Sequence, residues 1–186
     1  MERFNGSRYI QIRNMDIANG EYIGCAVYFQ GCPFHCFNCF NSETWDFDGG
    51  KEWKEETTNE VLNLIGHKHL KRITFLGGEP LIDRNLDLLV YLTSEIKKIR
   101  PDMSIWIYSG FLYDNLILNN TDIERKDKLL KILNNVDILV DGQFKDELKN
   151  FKLRFRGSEN QRIIDMKATL QNNQIILRDD LMKLRV

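Results

Sequence analysis

Short apolar runs recur along the chain at Ala26–Phe29, Ile73–Leu76, Ile105–Tyr108 and Ile138–Val140. Each is too short for a helix and does not alternate, the pattern of parallel strands covered on both faces. Between them apolar residues return every three or four positions, which predicts amphipathic helices. The first helix starts at Thr57 or Thr58, runs to about His67, and turns Val61, Leu62 and Ile65 inward. The second is capped by Asp83 or Asn85 and stacks Leu89, Leu92, Ile96 and Ile99, with Pro101 just past its end. The third is capped by Thr121 or Asp122, with Ile123, Leu130 and Leu133 inward. Lys97, Lys98, Lys126 and Lys128 read as the solvated faces of these helices.

The strand starts are spaced 47, 32 and 33 residues apart. The last two spacings fit one strand–helix unit each, and a cysteine-bearing loop takes up the excess in the first. Upstream, Arg8–Ala18 alternates loosely, as an edge strand or hairpin arm would, and Asn19-Gly20 signals a turn. After Asp141 the rhythm breaks, because Phe144 to Leu153 leaves no room for another crossover helix. The tail predicts further strands, with a turn at Gln171-Asn172-Asn173 joining Arg162–Asp165 or Ala168–Leu170 to Gln174–Leu177.

Each predicted parallel strand runs directly into polar or glycine-rich residues. These are Gly31–Cys39, Gly77-Gly78-Glu79-Pro80, Ser109-Gly110 and Asp141-Gly142-Gln143. In (β/α) barrels the loops at the carboxyl ends of the strands meet at one mouth and build the active site. The expected fold is therefore α/β, an incomplete (β/α) barrel with extra C-terminal strands, formed by residues 1–186 as a single domain. A flavodoxin-like open sheet is the structural alternative.

Composition adds exclusions. Apolar residues make up 42% and charged residues 28%, with a net charge of −1. That is ordinary globular composition, with no overall field favouring nucleic acid or a membrane surface. No apolar stretch approaches the ~20 residues of a membrane span, and Met1–Ile12 lacks the apolar core of a signal peptide. The expectation is a cytoplasmic protein, in a reducing compartment where clustered cysteines mean metal or catalysis rather than disulfides.

The chemistry sits in Gly31-Cys32-Pro33-Phe34-His35-Cys36-Phe37-Asn38-Cys39. A Cys-x3-Cys-x2-Cys triplet offers three soft thiolates from one loop, which suits an iron–sulfur cluster with one coordination position left open. A zinc site completed by Cys25 or His35 is the competing reading, although zinc usually takes two separated cysteine pairs. In Gly77-Gly78-Glu79-Pro80 the glycines permit close approach to the backbone, and the Glu79 carboxylate suits an ammonium group.

The triplet followed by Gly-Gly-Glu-Pro after the next strand resembles the radical S-adenosylmethionine (SAM) superfamily. The resemblance implies that Cys32, Cys36 and Cys39 hold a [4Fe–4S] cluster whose open iron is chelated by SAM. It implies that Asn38, Cys39 and Phe40 flank SAM, with Phe40 beside the adenine, and that Gly77, Gly78 and Glu79 cradle its methionyl end. Ser109 and Asp141 are further candidate contacts, Asp141 to the ribose or to nearby backbone.

Several other stretches are similar to the activating proteins of anaerobic ribonucleoside-triphosphate reductase. They are Gln30–Pro33, Phe40–Trp45, Tyr108–Phe111, Val140–Phe144 and, above all, Arg154-Phe155-Arg156-Gly157-Ser158-Glu159-Asn160-Gln161-Arg162-Ile163-Ile164-Asp165. The likeness covers residues 8–178; Ser109 departs mildly from the threonine usual in that family. It implies a glycyl radical enzyme activase that receives an electron from a flavodoxin- or ferredoxin-type donor. SAM would be cleaved to methionine and a 5′-deoxyadenosyl radical, which takes a hydrogen atom from a glycine of the reductase. The arginine-rich Arg154–Arg162 stretch suits contact with SAM or with the partner's glycyl loop, or else is a solvated hairpin. The alternatives are a pyruvate formate-lyase activase, a small-molecule enzyme of the 7-carboxy-7-deazaguanine synthase type, and a zinc-binding module.

Overall fold

The computed structural model describes Phe4 and residues 6–184. Its centre is a seven-stranded sheet: β1 (Arg8–Asp16), β2 (Gly24–Phe29), β3 (Lys51–Glu52), β4 (Arg72–Gly77), β5 (Ser104–Ser109), β6 (Ile138–Asp141) and β7 (Arg162–Asp165), in the order β3-β1-β2-β4-β5-β6-β7. The four apolar runs are β2, β4, β5 and β6, and they pair in parallel, with Cys25 opposite Ile73, Ile73 opposite Ile105 and Ile107 opposite Leu139. Antiparallel β1 and β7 flank them. The helices are α1 (Glu55–Ile65), α2 (Asp83–Ile99), α3 (Ile123–Leu133), α4 (Met166–Asn172) and α5 (Asp179–Met182).

Period-two alternation divides the central strands between two layers. Cys25, Val27, Phe29, Ile73, Phe75, Ile105, Ile107 and Leu139 join Val61, Ile65, Leu89, Leu92, Ile96, Leu129, Ile132 and Leu133 in the main core. The opposite face carries Ala26, Tyr28, Leu76, Trp106, Tyr108, Ile138 and Val140, in two smaller clusters. Helices α1–α3 thus cover one face. The other is left to a cleft and to the C-terminal tail, which adds Leu181.

Of the three predicted helix caps, the one at α3 is observed. Asp122 accepts the Arg125 N–H at 3.0 Å, as a capping residue should. Helix α1 begins earlier than its threonines, at Glu55, and Thr57 Oγ1 reaches back to the Lys54 N–H at 3.4 Å. Helix α2 begins at Asp83 without a side-chain cap, and Asn85 is buried inside its first turn.

Other expectations need correction. Ile123 is 85% exposed at the first turn of α3, and Leu129 and Ile132 take the inward positions instead. Ile99 lies half exposed at the end of α2. Lys97 is not on a solvated face; its ammonium pairs with Asp137 at 2.8 Å and donates to the Met103 carbonyl at 2.7 Å. Ala168–Leu170 belongs to α4, capped by Asp165 and closed by Asn173 at φ 51°. Gln174–Leu177 contributes a single bridge, Leu177 to Ile164, rather than a strand.

An unforeseen feature closes the amino-terminal end of the sheet. Arg72, on the face away from the helices, has no exposed surface. Its Nη2 pairs with Asp16 Oδ2 at 2.7 Å, and its other hydrogen bonds go to Thr74 and to the carbonyls of Asp16, Asn19 and Glu21. A charge buried this deeply persists only when paired and saturated with hydrogen bonds. Arg72→Ala would leave the Asp16 carboxylate buried without its counter-charge and is expected to cost about 3–5 kcal/mol. Urea unfolding of the two proteins measures it as a lowered midpoint at unchanged slope.

Candidate active site

The loops after the four parallel strands converge, as the topology requires, on one cleft of about 540 Å³. Cys32, Cys36 and Cys39 line it together with Phe40, Gly77, Gly78, Glu79 and Ser109. Its floor is the helix-free face of the sheet, through Tyr28, Leu76 and Tyr108. One wall is the segment 142–157, which crosses from β6 toward β7.

Of the residues expected to hold the cluster or SAM, two lie outside the cleft lining. Asn38 is exposed, at φ 54°, and its side chain donates to Asp146 at 3.0 Å. Asp141 follows Leu139 to the helix side by alternation and is fully buried. Its oxygens accept the Tyr113 N–H at 2.8 Å and two Arg162 donors at 2.9 and 2.5 Å. Asp141 therefore orders nearby backbone.

The cysteine loop is fixed mainly by backbone. Gly31 N–H donates to Thr44 O at 2.7 Å and Cys32 N–H to Trp45 O at 3.2 Å. The Asn41 N–H reaches Cys39 Sγ at 3.4 Å. Burial pushes the Cys32 thiol up to about 11, against hydrogen bonds from Phe34 and His35 that lower it; burial and the neighbouring Cys39 also raise Cys36. Thiols so placed ionise when a metal supplies the compensating charge. All three are free of disulfides. Among the described residues no three Cys, His, Asp or Glu side chains converge on the position of one metal ion. Three thiolates from one short loop are the soft donor set that an iron–sulfur cluster takes. The donor set fits the cluster.

Neither candidate fourth zinc ligand is positioned for that role. Cys25 faces the helix layer, where burial pushes its thiol up to about 12. His35 is exposed, with its ring stacked on Trp45 at 4.8 Å.

The Gly77-Gly78-Glu79 turn is locked onto the cysteine loop. Gly77 has φ +104°, and a Cβ there would stand 2.8 Å from the Phe29 carbonyl. At Gly78 a Cβ would overlap the Gly31 carbonyl. The Glu79 N–H donates to that same carbonyl at 2.8 Å.

The Glu79 side chain, 1% exposed, does something the sequence did not reveal. Oε1 accepts from Leu81 N–H and Ser109 Oγ, each at 2.9 Å, and Oε2 accepts from Gly110 N–H at 2.7 Å. A carboxylate has about four acceptor positions, and three are filled by the chain itself. Glu79 and Ser109 thus form a clasp between the loops after β4 and β5. Phe34 of the cysteine loop packs against Gly110 and edge-on to Phe111 at 4.8 Å, completing the joint.

The arginine-rich stretch is also largely occupied internally. Arg156 donates to the carbonyls of Glu159, Gln161 and Met182, and Arg162 pairs with Asp114 as well as Asp141. Gln161 accepts from the Gly157 and Ser158 N–H groups and donates to the Gly142 carbonyl. These residues shape the cleft wall.

A family described as "4Fe-4S single cluster domain" matches residues 18–164. The chain belongs to the anaerobic ribonucleoside-triphosphate reductase-activating proteins: the one from Pasteurella multocida (strain Pm70) is 32% identical over 82% of this chain and 94% of its own. Those from Escherichia coli (strain K12) and Enterobacteria phage T4 are 29% and 28% identical, over 82% and 83% of this chain and 95% and 92% of theirs. The crystal structure of QueE from Escherichia coli is similar at a TM-score of 0.42 and 20% identity, over 59% of this chain and 57% of that one.

Burial raises the Glu79 carboxyl from its ordinary 4.5 to about 7, against the three donors that lower it. A folded-state pKa above the unfolded one means that its contribution to stability is complete below about pH 4.5 and lost as pH rises through about 7. Comparing thermal unfolding across that range, Glu79→Gln should flatten the pH dependence relative to wild type. Ser109→Ala removes one bond to the carboxyl and should cost about 1.5–3 kcal/mol in urea unfolding above the carboxyl's value of about 7, where it is ionised.

Proposed function

We propose that the chain activates anaerobic ribonucleoside-triphosphate reductase as a radical SAM oxidoreductase that installs a glycyl radical on that protein. The observation that carries the reading is the meeting of the cysteine triplet, the Gly77–Glu79 turn and the 142–157 segment around one cleft, in a chain aligned with nearly the whole length of its relatives. The cofactors are a [4Fe–4S] cluster and SAM, and when bound they supply one-electron cleavage of SAM and hydrogen-atom abstraction from a glycine.

Cys32, Cys36 and Cys39 are the cluster ligands in this reading, steadied by the hydrogen bonds from backbone N–H groups described above. The Gly77-Gly78 backbone holds the methionyl end, and Phe40, tilted against Phe144 at 5.4 Å, offers an apolar face to the adenine. Glu79 and Ser109 set the spacing of two loops, and Asn38 and Asp141 act by ordering the chain around the site. No side-chain acid or base is assigned. The electron donor is of the flavodoxin or ferredoxin type, the compartment is the cytoplasm, and neither nucleic acid nor membrane is a partner. Among the described residues no helix is long and apolar enough to cross a membrane.

The chain is read as one domain, residues 1–186, and its sheet as a partial barrel. Helices on one face, with a loop-rimmed cleft at the carboxyl ends on the other, support the partial-barrel reading. The open side is where a protein substrate brings its own wall.

The test is anaerobic reconstitution with iron and sulfide, followed by assays of SAM cleavage and reductase activation. Cys36→Ala should abolish both, while Cys25→Ala retains most of each. Full activity in the Cys36 variant, or a reconstituted protein that cleaves SAM yet leaves the reductase inactive, would contradict the proposal.

A further inference from the structure

The rim of the cleft carries a cation with no assigned task. The 142–157 segment holds five basic side chains, Lys145, Lys149, Lys152, Arg154 and Arg156, against two acidic ones, Asp146 and Glu147, in a chain whose net charge is −1. Asp146 is engaged by Asn38. Lys149 lines the cleft, and its ammonium sits 5.0 Å from the centroids of both the Phe40 and the Phe151 rings. Among the described residues it forms no ion pair.

Both aromatic rings line the cleft and remain exposed there: Phe40 is 61% exposed and Phe151 81%. A single exposed aromatic needs no explanation. Two that flank an unpaired ammonium at the mouth of an active-site cleft form a composite surface, with apolar faces on either side of a positive charge. The backbone beneath is fixed, because Lys149 bridges to Ser158, and Glu159 N–H donates to Leu148 O at 2.9 Å. An ammonium already held between two rings gives up little side-chain freedom when it acquires a counter-ion.

We infer that Lys149, held between Phe40 and Phe151, receives a carboxylate of the protein substrate and so aligns the entering segment with the cleft. The inference rests on the activase reading. The occupant is a segment of the reductase that carries an acidic side chain beside an apolar one. The acidic group meets the ammonium, and the apolar neighbour covers the exposed ring of Phe151. Charge complementarity of this kind governs register and encounter rate more than total affinity.

The experiment measures binding of cluster-loaded variants to the anaerobic reductase by biolayer interferometry at low and moderate salt, alongside SAM cleavage without the reductase. Lys149→Glu should weaken binding about tenfold, the scale of reversing one close charge pair. Lys152→Glu makes the same change of net charge outside the cleft lining and should have little effect. Lys149→Met should flatten the salt dependence, and Lys149→Arg should keep it.

Wild-type binding by Lys149→Glu would overturn the inference. So would equal losses in Lys149→Met and Phe151→Ala with the salt dependence intact, which would make the contact apolar only. Loss of reductase-free SAM cleavage in Lys149→Glu would also overturn it, by assigning Lys149 to the SAM site. If wild type itself neither binds nor activates the reductase, the activase reading fails and this inference with it. If wild type activates and Lys149→Glu matches it, this inference alone fails.

Discussion

The parallel pairing of β2, β4, β5 and β6 is the constraint from which the rest follows. Strands that run the same way present their carboxyl ends at one edge, so the loops leaving them must share one region of space. Residues separated by dozens of positions, Cys32, Gly78, Ser109 and Gly142, thereby line one cleft. Alternation along the same strands sends half of their side chains to the helices and half to the cleft floor. Val27 and Tyr28 are neighbours in sequence yet serve different layers.

Within that frame, polar groups hold the loops in register. Arg72 gathers the turn between β1 and β2 at the amino-terminal end, and the Glu79–Ser109 clasp joins two loops at the carboxyl-terminal end. Each is buried, so removing one partner exposes the other to the full cost of an unsatisfied group. The carboxyl that looked free to greet an ammonium is bound into the scaffold. The same residue still lines the cleft beside Gly77 and Gly78.

The four parallel strands and the three main helices were legible because apolar runs and helical periodicity are local; β3, two residues long, carried no such signal. The cysteine triplet was legible for the same reason: its spacing alone declares a three-thiolate loop. Side chains whose partners lie far along the chain were not. Arg72 carried no signal in the sequence, since its partners at 16–21 are set by tertiary pairing. Asp141 read as a site residue because it follows a strand, but its place in the alternation turns it toward Arg162 and Tyr113. Ile123 fitted a helical stripe and lies outside, because Leu129, Ile132 and Leu133 define the face that α3 turns to the core. The 142–157 wall carried no periodic signal, and its contribution emerges only when it folds back over the cysteine loop.

The central claim is that this cleft places a radical on a glycine of one particular protein partner. Electron paramagnetic resonance after anaerobic incubation of the reconstituted protein with SAM, a reductant and the partner tests it most directly. A doublet from a glycyl radical on anaerobic ribonucleoside-triphosphate reductase, and none on pyruvate formate-lyase, is the predicted result. A doublet on pyruvate formate-lyase alone, or SAM cleavage with no protein radical on the reductase, would contradict the account.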